Sequence, residues 1–222
     1  MTNSDATYLT EPTHAEAESL GDATVFVVDD DDNIRKSLSR LLRAHNLKVE
    51  TFASAKEFLA RGSFFDRGCA LLDYHMPGIN GIELQTEMMR IGIALPVIFL
   101  TGRADIPASV LAMKQGAVDF LVKPVDENNL LDAIDQALKK QTTEMLRNKS
   151  SEAVTTCLNE LTLREREVLN LVIKGFLNKQ IAFKLGIAEK TVKAHRGKVM
   201  EKMKAKTIAD LVHKCDLVGI GN

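Results

Sequence analysis

The chain has 222 residues, of which 45% are apolar, enough for one large domain or two small ones with real cores. No apolar stretch approaches the roughly 18 residues of a membrane span, and residues 1–20 lack the apolar core of a secretory signal. The net charge of −1 hides an asymmetry: from Thr156 onward there are 13 Lys and Arg against 7 Asp and Glu, and before it 16 against 23, so an acidic part precedes a basic one that could attract a polyanion.

In chain order, residues 1–22 are polar and read as a flexible N-terminal arm. Over residues 23–138 apolar runs alternate with amphipathic segments, the pattern of a parallel α/β sheet with five strands and five helices. Strands are predicted at 24–28, 47–52, 69–72, 96–100 and 119–122. Helices are predicted at 33–45, after a Ser54 cap, at 81–91, at 106–115 with Gly116 as the stop, and from an Asp126 cap through Leu138. Residues 139–157 are charged, helix-compatible and poor in large apolar residues, as a linker would be.

Residues 158–222 carry no strand pattern. Thr162 and Glu165 form a capping box that opens a helix stopped at Gly175. Asn178 is expected to cap a short helix over 179–185 that Gly186 breaks; helices over 189–204 and, after a Thr207 cap, over 208–215 complete the set. Two short helices joined by a glycine turn are a helix-turn-helix signal. Cys69, Cys157 and Cys215 are scattered, form no disulfide framework or metal-ligand spacing, and point to a reducing cytoplasm.

Four of the predicted strands run into polar residues: Asp29 and Asp30, Asp73, Thr101, and Lys123. Parallel strands bring such endings to one edge, where open α/β sheets bind ligands. Three converging carboxylates repel one another unless a cation compensates, and oxygen donors suit Mg2+ or Mn2+. A carboxylate can attack phosphorus and form an acyl phosphate. Lys123 would supply a point charge to a phosphoryl oxygen and Thr101 a hydroxyl donor. Asp31 and Asp32 are sufficiently explained as an acidic helix start. No glycine-rich phosphate loop follows a strand, so the phosphoryl group is expected from a small donor or another protein.

With these residues in place, the stretch 23–138 resembles the receiver domain of two-component response regulators, through Val28-Asp29-Asp30, the run from Leu72 to Gly78, Thr101-Gly102 and Lys123-Pro124. The resemblance implies a five-stranded, doubly wound, flavodoxin-like fold and phosphorylation of Asp73 by a cognate sensor histidine kinase. It also implies Mg2+ held by Asp30, Asp73 and the backbone carbonyl of His75, with Asp29 acting mainly through water, and phosphoryl contacts from Thr101 and Lys123. Phe120 occupies the family's aromatic switch position, without the hydroxyl of the tyrosine common there.

In the basic part, Val192, Val199 and Met203 define an inward face, flanked by Arg196, while Lys190, Lys193, Ala194, Gly197 and Lys198 point outward. A helix that enters the major groove needs this division. Residues 158–218 resemble the LuxR-type (FixJ/NarL-type) helix-turn-helix, a small all-α domain. That resemblance implies base contacts from Lys193 and Ala194, and phosphate contacts from Lys179, Lys190, Thr191, His195, Lys198 and Lys202. It further implies double-stranded promoter DNA and RNA polymerase as partners, and a homodimer on activation, with Val110 and Lys114 as receiver-side candidates. Two other readings stay open. One is a Mg2+-dependent phosphohydrolase, although the dehalogenase type needs an acid where His75 stands; the other is a DNA-binding protein indifferent to phosphorylation.

Overall fold

The computed structural model describes residues 23–64, 67–102 and 106–220, and the expected arm over 1–22 lies outside them. The chain divides into two units, with the boundary between Gln141 and Thr142. Among the described residues no helix is long and apolar enough to cross a membrane.

In the first unit, strands β1 (Thr24–Val28), β2 (Lys48–Phe52), β3 (Gly68–Asp73), β4 (Val97–Thr101) and β5 (Asp119–Val122) form one parallel sheet in the order β2-β1-β3-β4-β5. The helices are α1 (Asp32–Ala44), α2 (Ala55–Ala60), α3 (Gly81–Arg90), α4 (Ile106–Lys114) and α5 (Glu127–Asn159). Alternate residues of each strand face opposite sides, and both sides are covered. Val25, Val27, Leu71, Ile98 and Leu100 pack with Leu42 of α1 and Ile134 of α5. Phe26, Val28, Leu72 and Phe99 pack with Phe58 of α2, Leu84 of α3 and Ala112 of α4. Burial on both faces is why the central strands read as unbroken apolar runs.

The fourth strand is shifted by one residue from the sequence expectation. Pro96 has no N–H to give a ladder and contributes only its carbonyl, to the Ala70 N–H at 2.9 Å, so β4 starts at Val97 and ends on Thr101 itself. The Ser54 and Asp126 caps form as expected, with Ser54 Oγ accepting from Glu57 N at 3.2 Å and Asp126 Oδ1 from Asn129 N at 3.1 Å. The expected linker, 139–157, is helical throughout as part of α5, and it contains no glycine or proline that would stop a helix. The first unit extends to Gln141, whose carboxamide accepts from Gly68 N at 2.7 Å at the start of β3.

The second unit continues with α6 (Leu163–Ile173), α7 (Asn178–Leu185), α8 (Glu189–Lys202) and α9 (Ile208–Leu217) around Val168, Leu169, Ile181, Val192, Val199 and Leu211. The Thr162–Glu165 box closes in both directions, at 3.3 and 2.9 Å. Asn178 is not a cap, contrary to expectation. It is the first residue of α7, with Leu177 at the cap position, and its Oδ1 accepts from Arg196 Nη1 of α8 at 2.9 Å. A tertiary cation thus takes the carboxamide that a local backbone N–H would have used. Gly186, at φ 65°, turns the chain between α7 and α8.

Gly81 opens α3 directly against the end of β3: a Cβ there would lie 2.5 Å from the Asp73 carbonyl oxygen and 3.0 Å from the Phe99 ring. Both neighbours are rigid, one backbone and one buried ring. Gly81→Ala is expected to destabilise the first unit by about 1–3 kcal/mol, the usual cost of overpacking. Urea unfolding would register this as a lower midpoint at unchanged slope; an unchanged midpoint would show that the contact relaxes freely.

Candidate functional site

The ends of β1 and β3 are hydrogen-bonded neighbours, so the residues that follow them are held side by side. Asp29 is 1% exposed and Asp73 5%, while Asp30 is exposed. One carboxylate oxygen from each lies within 4.8 Å of the others. Lys123, just past β5, reaches between the buried pair, its Nζ donating to Asp29 Oδ2 at 2.6 Å and to Asp73 Oδ1 at 2.9 Å. Its backbone N–H donates to the Thr101 carbonyl at 2.6 Å, which ties the end of β4 to the same point, and the Thr101 side chain is fully buried there.

The electrostatics follow from this crowding. Burial pushes the Asp73 carboxyl above its ordinary range; the Lys123 hydrogen bond and charge oppose that, and the Asp29 charge adds to it. For Lys123, burial works against the ammonium, but the hydrogen bonds to Asp29 and Asp73 prevail and hold it above the ordinary lysine value. Three carboxylates against one ammonium leave excess negative charge on a cluster of hard oxygen donors. Such a donor set fits a hard divalent cation of the Mg2+ class.

Around this cluster lies an open cavity of about 490 Å3, lined also by Asp31, Ile34, His75 and Gly102. The His75 side chain is exposed, and its backbone hydrogen-bonds to the Asp73 carboxylate. Two supports escaped the sequence reading. The Arg35 guanidinium donates to the Asp29 carbonyl at 2.8 Å, and Asp29 Oδ1 accepts from the Asp31 backbone at 2.9 Å. Both are short-range contacts across a strand–helix turn, and no motif signals them.

Phe120 is half-buried on β5, its ring 5.8 Å from Tyr74 and 6.2 Å from Phe99. Tyr74 directly follows Asp73, so the two strand ends share an aromatic cluster. On α4, the dimer candidates Val110 and Lys114 are exposed, and so are Leu111 and Met113, with Val122 on β5. The sequence did contain a sign of this: the run Val-Leu-Ala-Met is apolar beyond what its one buried position, Ala112, requires.

On the second unit, α8 buries Val192 and Val199, with Met203 buried at its C-cap, and exposes Lys190, Thr191, Lys193, Ala194, Gly197 and Lys198; Lys179 is exposed on α7. His195 is half-buried, with Nδ1 turned inward. Lys202, expected among the phosphate contacts, is held within the second unit. Its Nζ donates to Glu165 Oε2 at 2.7 Å and to the Glu160 carbonyl at 3.0 Å, because the nearly buried Glu165 needs a cation. Lys202 and Glu165 therefore strut α8 against the start of α6.

Comparison with known proteins agrees with both halves. The family description "Response regulator receiver domain" matches residues 25–135, and "Bacterial regulatory proteins, luxR family" matches residues 159–215. Nodulation protein W of Bradyrhizobium diazoefficiens is 42% identical over 93% of this chain and 90% of its own length. Transcriptional regulatory protein FixJ of Azorhizobium caulinodans is 41% identical over 88% and 93%. Among solved structures, response regulator StyR aligns over 88% of this chain and 98% of its own, with 45% identity and a TM-score of 0.74.

The Glu165 strut makes a pH test. Its carboxylate is held down to about 2, mainly by the Lys202 ammonium and then by the Thr162 backbone N–H. A depressed folded pKa contributes stability that is present above the ordinary value of 4.5 and lost as pH falls towards 2. Glu165→Gln keeps the oxygen that accepts from Thr162 but cannot titrate. The variant should lose this share of the acid dependence of second-unit unfolding in that window, as read by thermal melts followed by circular dichroism. Identical acid profiles for variant and wild type would refute the strut.

Proposed function

The chain belongs to the response regulators with a receiver domain and a LuxR-type DNA-binding domain, whose named relatives include transcriptional regulators, and from that premise we propose that it is a transcription factor gated by phosphorylation of Asp73. The observation that carries this reading is Lys123 poised between the two nearly buried carboxylates Asp29 and Asp73.

In this reading a cognate sensor histidine kinase presents a phosphohistidine to the open cavity. An oxygen of the Asp73 carboxylate attacks phosphorus; the O–P bond forms as the N–P bond breaks, and the leaving imidazole takes up a proton. Asp29, Asp30, Asp73 and the His75 carbonyl would hold Mg2+ or Mn2+, Asp29 mainly through water. When bound, the ion supplies charge neutralisation for the phosphoryl oxygens. Lys123 gives up part of its hold on Asp73 to contact the phosphoryl group, and Thr101 donates its hydroxyl to another phosphoryl oxygen. The reaction is stoichiometric self-modification, so the chain is not an enzyme in the ordinary sense.

Modification adds charge to a buried cluster and biases a local equilibrium. Movement of Thr101 would be read by the aromatic ring of Phe120 and passed to the exposed apolar face of α4, with Val110 and Lys114 at a homodimer contact. Two copies would then present two basic helices to promoter half-sites. Lys193 and Ala194 would face bases, and Lys179, Lys190, Thr191, His195 and Lys198 would contact phosphates. Lys202 is not carried forward, since its ammonium is already engaged. RNA polymerase is the expected partner at the promoter, in the cytoplasm. The domains in this scheme are a receiver over 23–138, a helical linker over 139–157 and a DNA-binding domain from 158.

Incubation with a small acyl phosphate and Mg2+ should label wild type at about one phosphoryl group per chain and Asp73→Asn not at all, with tighter promoter binding after labelling. Turnover of varied phosphate esters would instead support a phosphohydrolase, and unchanged DNA affinity a constitutive binder. For the DNA face, Lys193→Ala should cost about 1–3 kcal/mol on its preferred site and relax the sequence preference. Lys190→Ala should weaken all sequences alike and reduce the salt slope of binding by about 1. Titrations at several salt concentrations separate the two behaviours, and equal loss across sequences for Lys193→Ala would remove it from base readout.

A further inference from the structure

Phe120 is a ring without a polar handle, so packing alone fixes where it points. Among the described residues it meets the rings of Phe99 at 6.2 Å and of Tyr74 at 5.8 Å, the latter inclined at 68° as an edge-to-face pair. Phe99 is fully buried on the central strand β4 and offers its ring wherever Phe120 goes. Tyr74 is half-buried and directly follows Asp73. Its contact with Phe120 coexists with the Lys123 bond to Asp73 at 2.9 Å, so it belongs to the unmodified carboxylate.

Tyr74 is held in place more firmly than its partner ring. Its N–H donates to the Leu100 carbonyl at 2.8 Å, and its carbonyl accepts from Gly81 N at 3.2 Å. Gly81 sits against it: a Cβ there would lie 3.2 Å from the Tyr74 Cα. Asp73 lies opposite Leu100 in register, so Tyr74 and Thr101 are neighbours one step further along the two chains. The Tyr74 ring also meets His75 at 4.7 Å and 71° and Phe99 at 6.3 Å and 78°, and turning it would break these two edge contacts as well. An edge-to-face pair is favourable only while the centroids stay within about 7 Å, so a displacement of Phe120 by about 1–2 Å away from a ring that cannot follow ends the pair.

We propose that Tyr74 is a positioning residue that holds the Phe120 ring in its resting place and so sets how much of the unphosphorylated protein is active. The inference rests on the gating by Asp73 proposed above. When Thr101 moves toward a phosphoryl group, Phe120 has to leave Tyr74 to follow it. A contact made only in the resting state biases the equilibrium toward that state. Where the active fraction is small, the apparent affinity for DNA is proportional to it, and loss of one aromatic pair raises it about 2–12-fold. The contacts are ring to ring, so the ring carries the effect and the hydroxyl does not.

DNA binding by the full chain tests this, on a duplex selected from a random pool by wild-type protein labelled with a small acyl phosphate and Mg2+. Unlabelled Tyr74→Leu should bind that duplex about 2–12-fold more tightly than unlabelled wild type. The two labelled proteins should bind alike, and Tyr74→Phe should match wild type in both states. A second measurement keeps position 74 intact. The chain has two tyrosines and no tryptophan, so in Tyr8→Phe protein grown with fluorotyrosine a single 19F resonance reports Tyr74. It should move on labelling, and it should move in unlabelled Phe120→Leu. A resonance that ignores Phe120→Leu, or unlabelled Tyr74→Leu that binds no more tightly than unlabelled wild type, overturns the proposal while leaving the gating in place. Wild type whose DNA affinity is unchanged by labelling overturns the gating itself and the proposal with it.

Discussion

The first unit depends on one electrostatic compromise. Asp29 and Asp73 are forced together because β1 and β3 are adjacent in the sheet, and both side chains are nearly buried. Two carboxylates at this separation, out of water, cannot both be ionised cheaply. The Lys123 ammonium, 2.6 and 2.9 Å away, makes the arrangement tolerable. It does so incompletely, since burial still pushes the Asp73 carboxyl upward. The site combines unspent negative charge, one cation and an open cavity, a donor set that suits a hard divalent cation.

That compromise is coupled to its surroundings by short covalent and aromatic steps. Tyr74 follows Asp73 directly and packs edge-on against Phe99 and Phe120. Phe120 lies three residues before Lys123, and Thr101 shares a backbone hydrogen bond with Lys123. Asp73, the end of β4 and the Phe120 ring on β5 are thus linked by contacts of one or two steps. Val110, Leu111 and Met113 of α4 and Val122 of β5 are exposed on the same unit.

The second unit solves a different problem, which is to hold a charged helix rigidly while leaving its cationic face free. Its inward residues Val192, Val199 and Met203 supply the packing. Polar struts fix the orientation: Arg196 to Asn178 near the start of α7, and Lys202 to Glu165 at the start of α6. These contacts engage two residues, Asn178 and Lys202, that a linear reading assigns to capping and to DNA. The residues left over, Lys190, Lys193 and Lys198, are exposed.

Periodicity and residue type by themselves determined the sheet, its helices and the polar endings Asp29, Asp30, Asp73, Thr101 and Lys123, because strand burial and parallel topology leave one arrangement for such runs. The glycine turn at Gly186 and the division of α8 into apolar and cationic sides were legible for the same reason: each is a local pattern with a local cause. Only the tertiary structure decided which polar groups find each other. The reach of Gln141 back to Gly68, the diversion of Asn178 to Arg196 and the bond of Lys202 to Glu165 all join residues distant in sequence. A side chain's partner is set by which charges remain unsatisfied in three dimensions, and that is a property of the packed chain rather than of any segment.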